Sequence, residues 1–141
     1  SLKEKSKDLE AMEHLSKENQ YLHKREAFLC NQLIKQTELF NKLKTTKYID
    51  NKLWQEIKEK IDLLFDNYTK RLCHQIPSLT DGDIQICCLI KLRFSNGDIA
   101  NMLAISPTSV SKRKLRLKER IVQEIGSLGE NQSLDLWLME Y

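Results

Sequence analysis

The chain has 141 residues, enough for one ordinary domain or for a small domain joined to an elongated segment. Its 4 glycines and 2 prolines are few, which favours long helices over a turn-rich sheet protein. A charged fraction of 30%, with no apolar run near the roughly 20 residues of a membrane span, excludes a membrane-embedded chain. The net charge of +3 is small, so the distribution of the charges says more than their sum.

The first 44 residues lack proline and glycine and are rich in Lys, Glu and Gln, a composition typical of a long helix. A heptad fits them with seven apolar residues at ten seam positions. One position holds Met12, Asn19, Glu26, Leu33 and Phe40, and the other holds Leu15, Leu22, Leu29, Gln36 and Leu43. We expect residues 1–48 to form a coiled coil between two copies, with the apolar residues and Asn19 at the dimer seam. A long helix packed on its own domain is the alternative.

Residues 49–76 carry the pattern of an amphipathic helix that connects the coiled coil to a C-terminal domain. Asp50 is placed to cap it, and Ile49 and Trp54 have the spacing of a hydrophobic staple. Its apolar residues repeat every three or four positions: Trp54, Ile57, Ile61, Leu64, Phe65, Tyr68 and Leu72. Such a stripe is far more often packing than a ligand site.

The remaining residues, 77–141, begin at Pro77, which interrupts the preceding helix, and their pattern predicts four further helices. Thr80 and Asp83 form a capping box before the apolar run from Ile84 to Leu92, which we expect to be the core helix. Ser133 is placed to cap a last short helix. The predicted fold is all-α throughout.

Between these helices, residues 95–121 have the pattern of a helix-turn-helix. Ser95 and Asp98 mark the start of a short helix, and Ser106 followed by Pro107 marks the start of a second one. From Lys112 to Arg120 the second helix has six basic residues and one acid, a local charge of +5. A short helix, a tight turn and a basic second helix is the arrangement that enters the DNA major groove.

The cysteines and histidines show no catalytic or metal-binding pattern. Cys30, Cys73, Cys87 and Cys88 lack metal-ligand spacing and a disulfide framework, so we interpret all four as structural free thiols in a reducing compartment. The three histidines, His14, His23 and His74, lie far apart in sequence with no phosphotransfer motif around them. We therefore expect no enzyme activity, no metal and no cofactor.

Residues 79–121 resemble the C-terminal DNA-binding domain of LuxR/GerE-type regulators. The residues that carry the resemblance are Leu79-Thr80, Asp83, Ser95, Asp98-Ile99-Ala100, Leu103, Ile105-Ser106, Ser109-Val110 and Arg120-Ile121. With Trp54, Phe65, Tyr68, Leu72 and Pro77, the chain also looks like the tail of membrane-anchored tetratricopeptide-repeat regulators of Bacteroidetes. The resemblance implies a four-helix LuxR-like domain and a cytoplasmic fragment that follows a membrane helix.

The same resemblance implies which residues contact DNA. By motif position, Ser111, Lys112 and Leu115 would face base edges. The flanking contacts, mainly to phosphates, would come from Ser95, Asn96, Ser106, Thr108, Ser109, Arg113 and Arg116. Leu115 departs from the family, which commonly has a polar residue there, so it would touch a thymine methyl or lie buried. Lys114 would pack its stem while its ammonium reaches outward.

These observations favour a sequence-specific DNA-binding regulator that binds double-stranded DNA as a homodimer. A factor like region 4 of bacterial sigma factors, bound to RNA polymerase, is one alternative. A helical scaffold without a DNA role is another, although it gives no reason for the basic helix.

Overall fold

The computed structural model describes residues 2–130 and 132–141, and all regular structure within them is α-helical. The seven helices are α1 (Leu2–Thr45), α2 (Asn51–Leu64), α3 (Tyr68–Gln75), α4 (Asp81–Lys91), α5 (Asn96–Leu103), α6 (Pro107–Ile125) and α7 (Leu134–Glu140). The all-α prediction and the long N-terminal helix are confirmed. Among the described residues, no helix is both long enough and apolar enough to span a membrane.

The chain divides into two units between Thr37 and Glu38. The first unit is the part of α1 before this division, and the apolar side chains of residues 3–37 are exposed. Five of the predicted seam residues are between 47% and 67% exposed: Met12, Leu15, Leu22, Leu29 and Leu33. Asn19 is exposed as well. A helix with an apolar stripe and no packing partner is stable in water only when something covers the stripe.

The last turns of α1 belong to the second unit and contain two of the predicted seam residues, Phe40 and Leu43. Leu43 is fully buried there, and Phe40 stacks on Phe94 with 4.3 Å between ring centroids. A fully buried side chain cannot contact a second copy of the chain, so the prediction for Leu43 was wrong. Phe40 is only partly buried, so its place at the seam stays a prediction. The heptad pattern continues into the second unit because the apolar stripe of α1 is exposed before Glu38 and packs into the core after it.

The segment predicted as one connecting helix forms two helices, α2 and α3. The break contains Asp66 and Asn67, both in left-handed backbone conformation with φ of 51° and 56°. Asp and Asn tolerate this conformation better than most residues. The Asp62 carboxylate spans the break, since it accepts hydrogen bonds from the Thr69 backbone N–H at 2.7 Å and from its hydroxyl at 2.6 Å. The apolar stripe of both helices is buried in the core of the second unit.

Helix α4 is the centre of that core. The Thr80 hydroxyl accepts from the Asp83 N–H at 3.2 Å and the Asp83 carboxylate accepts from the Thr80 N–H at 3.0 Å, which confirms the predicted capping box. The residues from Ile86 to Ile90 are all at most 1% exposed. Helices α2, α6 and α7 pack around α4, and the buried Tyr68 hydroxyl donates to the Cys87 carbonyl at 3.2 Å.

Polar contacts hold α7 against this core. The Lys91 ammonium donates to the Met139 carbonyl at 2.6 Å and lies 5.0 Å from the ring centroids of Phe65 and Tyr68. Burial lowers the pKa of Lys91, and the facing π-systems and the carbonyl offset part of its desolvation. Arg71 donates to the Tyr141 carbonyl at 2.7 Å.

The turn between α5 and α6 consists of residues 104–106. Ala104 closes α5 in left-handed backbone conformation, with φ 54° and ψ 43°. Glycine is the usual residue at this position because a Cβ there meets the following carbonyl oxygen, at a cost of roughly 1–2 kcal/mol. Ala104 is exposed, so its methyl group gains little by packing.

We therefore expect Ala104→Gly to raise the free energy of unfolding by about 1 kcal/mol, measured by urea denaturation. Ala100→Gly, the same change at a buried helical position of α5, is the control and should destabilise the protein by at least about 0.5 kcal/mol. Destabilisation by both substitutions would contradict the assigned turn.

Candidate nucleic-acid interface

Helix α6 is oriented by its buried face. The Ser106 hydroxyl accepts from the Ser109 N–H at 3.1 Å, and Pro107 occupies the first turn, as predicted. Val110, Leu117 and Ile121 are fully buried against the core, and α6 packs along α5. Because these three residues share one face of the helix, the opposite face lies toward solvent.

Two of the six basic residues of α6 are paired with carboxylates of other helices. Lys114 lies 3.0 Å from the Asp135 carboxylate of α7, and its side chain is only 11% exposed. Arg120 donates to the Asp83 carboxylate at the start of α4. The expectation that the Lys114 ammonium reaches outward was wrong, since it pairs with Asp135 of α7. Both cations fasten α6 to the core.

The other four basic residues are exposed and have no carboxylate partner among the residues that the structure describes: Lys112, Arg113, Arg116 and Lys118. Glu119 is the acid on this helix segment, so the local charge that is left after the two ion pairs is +3. A surface with this excess of charge attracts polyanions and releases their counterions on binding.

Leu115 lies on the exposed face. Its side chain is 59% exposed, so the alternative that it packs in the core is excluded. Thr108, Ser111 and Lys112 are exposed on the same N-terminal half of α6. The exposed side of this half therefore presents a hydroxyl, a cation and an apolar side chain together, which is the mixture that major-groove edges accept.

Three of the predicted hydroxyl contacts are already used within the helix. The Ser106 and Ser109 hydroxyls are 2.9 Å apart, and Ser109 is half-buried. The Ser111 hydroxyl donates to the Pro107 carbonyl at 3.3 Å. The oxygens of these groups keep acceptor capacity, but their first role here is to hold the start of α6.

The start of α5 supplies the remaining predicted contacts. Ser95 caps this helix, and its hydroxyl accepts from the Asp98 N–H at 3.1 Å. Asn96, the first residue of the helix, is exposed. Helix α5 therefore presents free backbone N–H groups and an exposed amide at one end, where anions are favoured.

The sequence did not identify the partners Asp83 and Asp135. Asp83 was recognised as a capping residue, but its contact with Arg120 joins residues 37 positions apart. Lys114 and Asp135 are 21 positions apart on different helices. No local spacing encodes such pairs, because they depend on how the helices pack.

The cysteines and two of the histidines lie apart from the basic surface of α6 in sequence. Cys87 and Cys88 are buried, and burial raises the pKa of Cys88 to about 12, so its thiol stays protonated. Cys30 and Cys73 are exposed. His14 and His23 are exposed beside Glu18 and Glu26 of α1. Across residues 2–130 and 132–141, no group of three His, Cys, Asp or Glu side chains is arranged to hold a metal ion.

The ion pairing predicts different roles for neighbouring lysines. Lys114→Ala should lower the free energy of unfolding by about 1 kcal/mol, because it removes a packed stem and leaves Asp135 unpaired. Lys112→Ala, the matched control, should change it by less than about 0.5 kcal/mol. Urea denaturation of Lys114→Ala, Asp135→Ala and the double variant measures the coupling. Additive effects of the two single substitutions would show that the pair contributes nothing.

Comparisons of this chain with protein-family models, with curated proteins and with solved structures find no match.

Proposed function

We propose that this protein is a sequence-specific DNA-binding transcriptional regulator that inserts the N-terminal half of α6 into the major groove. The observation that carries the proposal is the sorting of charge on α6. Two cations are used for packing, and four others have no carboxylate partner in the described part of the chain and lie exposed with Thr108, Ser111 and Leu115. Unpaired cations at this density attract the phosphates of a nucleic-acid backbone.

In this proposal the exposed residues divide by chemistry. Lys112 donates hydrogen bonds to guanine edges, and Leu115 contacts a thymine methyl group. Arg113, Arg116 and the start of α5 at Ser95 and Asn96 hold backbone phosphates, which fix the orientation of the domain but carry no sequence information. Tight binding then depends on salt, and specificity depends on few side chains.

We further propose that the exposed stripe of α1 pairs two copies of the chain. Leu22 and Leu29 are about half exposed in the first unit, where no other described helix packs against them. Pairing through the stripe would bury them, and Asn19 would favour a two-stranded register. Two coupled DNA-binding domains would require two half-sites about one helical turn apart.

The family resemblance extends this proposal to the output region of a membrane-anchored sensor, located in the cytoplasm. A scaffold role would use the same stripe on α1 but would be indifferent to duplex DNA. A sigma-like role would make RNA polymerase a partner, and the protein would then co-purify with the core enzyme.

Band-shift titration against a genomic fragment library tests the DNA-binding proposal. Selected fragments should bind more tightly than the bulk. Lys112→Ala should weaken binding to them by roughly 1–3 kcal/mol if this residue contacts a base. Arg116→Ala should weaken binding to all fragments alike. It should also reduce the steepness of log affinity against log salt by about one, the amount expected for one lost phosphate contact. Equal affinity for every fragment, or affinity independent of salt, would overturn the proposal.

Sedimentation of the reduced protein tests the pairing. Leu22→Ala/Leu29→Ala should shift the protein from dimer to monomer, because it truncates the stripe at two seam positions. Tyr21→Ala/Phe28→Ala is the matched control, since these large residues are also exposed but lie off the seam, and this variant should remain dimeric. A wild-type protein that is monomeric at high concentration would contradict the proposal.

A further inference from the structure

A cleft of about 320 Å³ lies between the end of α1 and α5, within the second unit. The α1 side contributes residues 44–47, and the α5 side contributes Asp98, Asn101 and Met102. The cleft is thus on the first helix of the helix-turn-helix pair. That helix is the one that crosses the DNA backbone when the second helix enters the groove.

Lys44 lies beside an aromatic pair that packs next to this helix. Its ammonium lies 5.6 Å from the centroid of the Phe40 ring, and Phe40 stacks on Phe94 at 4.3 Å. Phe94 immediately precedes Ser95, the residue that caps α5. The packing of α1 onto the core therefore holds a cation close to the exposed start of α5.

The cleft carries more positive than negative charge. Lys44 and Lys47 are exposed, and neither has a carboxylate partner within the described part of the chain. Their neighbour Lys42, in contrast, lies 3.9 Å from the Glu56 carboxylate. Asp98 is the acid in the lining, and Asn101 adds an exposed amide. The Thr45 and Thr46 hydroxyls donate to carbonyls of α1 and are already used.

We propose that Lys44 and Lys47 hold phosphates of the DNA strand that flanks the groove occupied by α6. This inference rests on the proposed function, because it adds a contact to the same interface. Two unpaired ammonium groups and an amide are donors to phosphate oxygens, and such contacts are independent of sequence. The end of α1 then has two roles, since it completes the core through Leu43 and extends the DNA-binding surface.

Salt titration of the full chain tests the proposal, with a fluorescent mixed-sequence duplex of about 30 base pairs and salt between about 50 and 200 mM. The slope of log affinity against log salt is negative, and each lost phosphate contact makes it shallower by about 0.9. Lys44→Ala/Lys47→Ala should therefore make it shallower by about 1.8 per bound domain. At about 0.1 M salt this corresponds to a loss of affinity of roughly 60-fold.

Lys60→Ala/Lys70→Ala is the matched control. It removes the same charge from exposed positions that do not line the cleft, and its slope should stay close to that of the unmodified chain. Asp98→Asn should tighten binding, because it removes a carboxylate from beside a bound phosphate. Circular dichroism melting of each variant separates loss of fold from loss of contact.

Lys112→Ala/Arg116→Ala distinguishes the inference from the function on which it rests. If this variant weakens binding while the Lys44/Lys47 variant keeps the slope of its control, the cleft is not a phosphate site and the proposed function stands. If Lys112→Ala/Arg116→Ala also leaves binding unchanged, both the inference and the proposed function are overturned.

Discussion

A helical segment that is apolar on every side is stable in water only when it is surrounded, and the second half of α4 is such a segment. Its residues from Ile86 to Ile90 are almost completely buried. Every other helix of the second unit has to supply cover, and α2, α6 and α7 do so directly. The buried stripe on α6 follows from this requirement. Its basic surface faces solvent because its apolar surface is needed on α4.

Ion pairs add to the apolar contacts that position α6. The apolar contacts define which side of α6 is buried, and two ion pairs join the helix to α7 and to the start of α4. Asp135 reaches Lys114 from α7, and Asp83 reaches Arg120 from the start of α4. The four remaining cations therefore lie on a helix that is packed against the core. A side chain that contacts a base edge needs such a fixed position to discriminate between bases. One helix thus serves both stability and the proposed recognition of DNA.

Local signals in the sequence predicted the helix starts well. Capping by Asp50, Thr80, Ser95, Ser106 and Ser133 is present, because a cap involves atoms only three residues apart. Contacts between distant residues were missed, which is why the roles of Lys114 and Leu43 had to be corrected. The break between α2 and α3 was also missed, since an apolar repeat can continue across a left-handed turn. Exposure of Leu115 could not be read from periodicity alone.

In the proposed function, α6 presents a DNA-binding surface through its N-terminal half. Amide chemical shifts of the ¹⁵N-labelled full chain, recorded while a mixed-sequence duplex is added, test it most directly. We predict that the largest changes fall between Thr108 and Arg116, with Ser95 and Asn96 following and α7 little affected. Spectra in which these residues do not respond to duplex DNA, or in which changes are confined to the first unit of α1, would contradict the account.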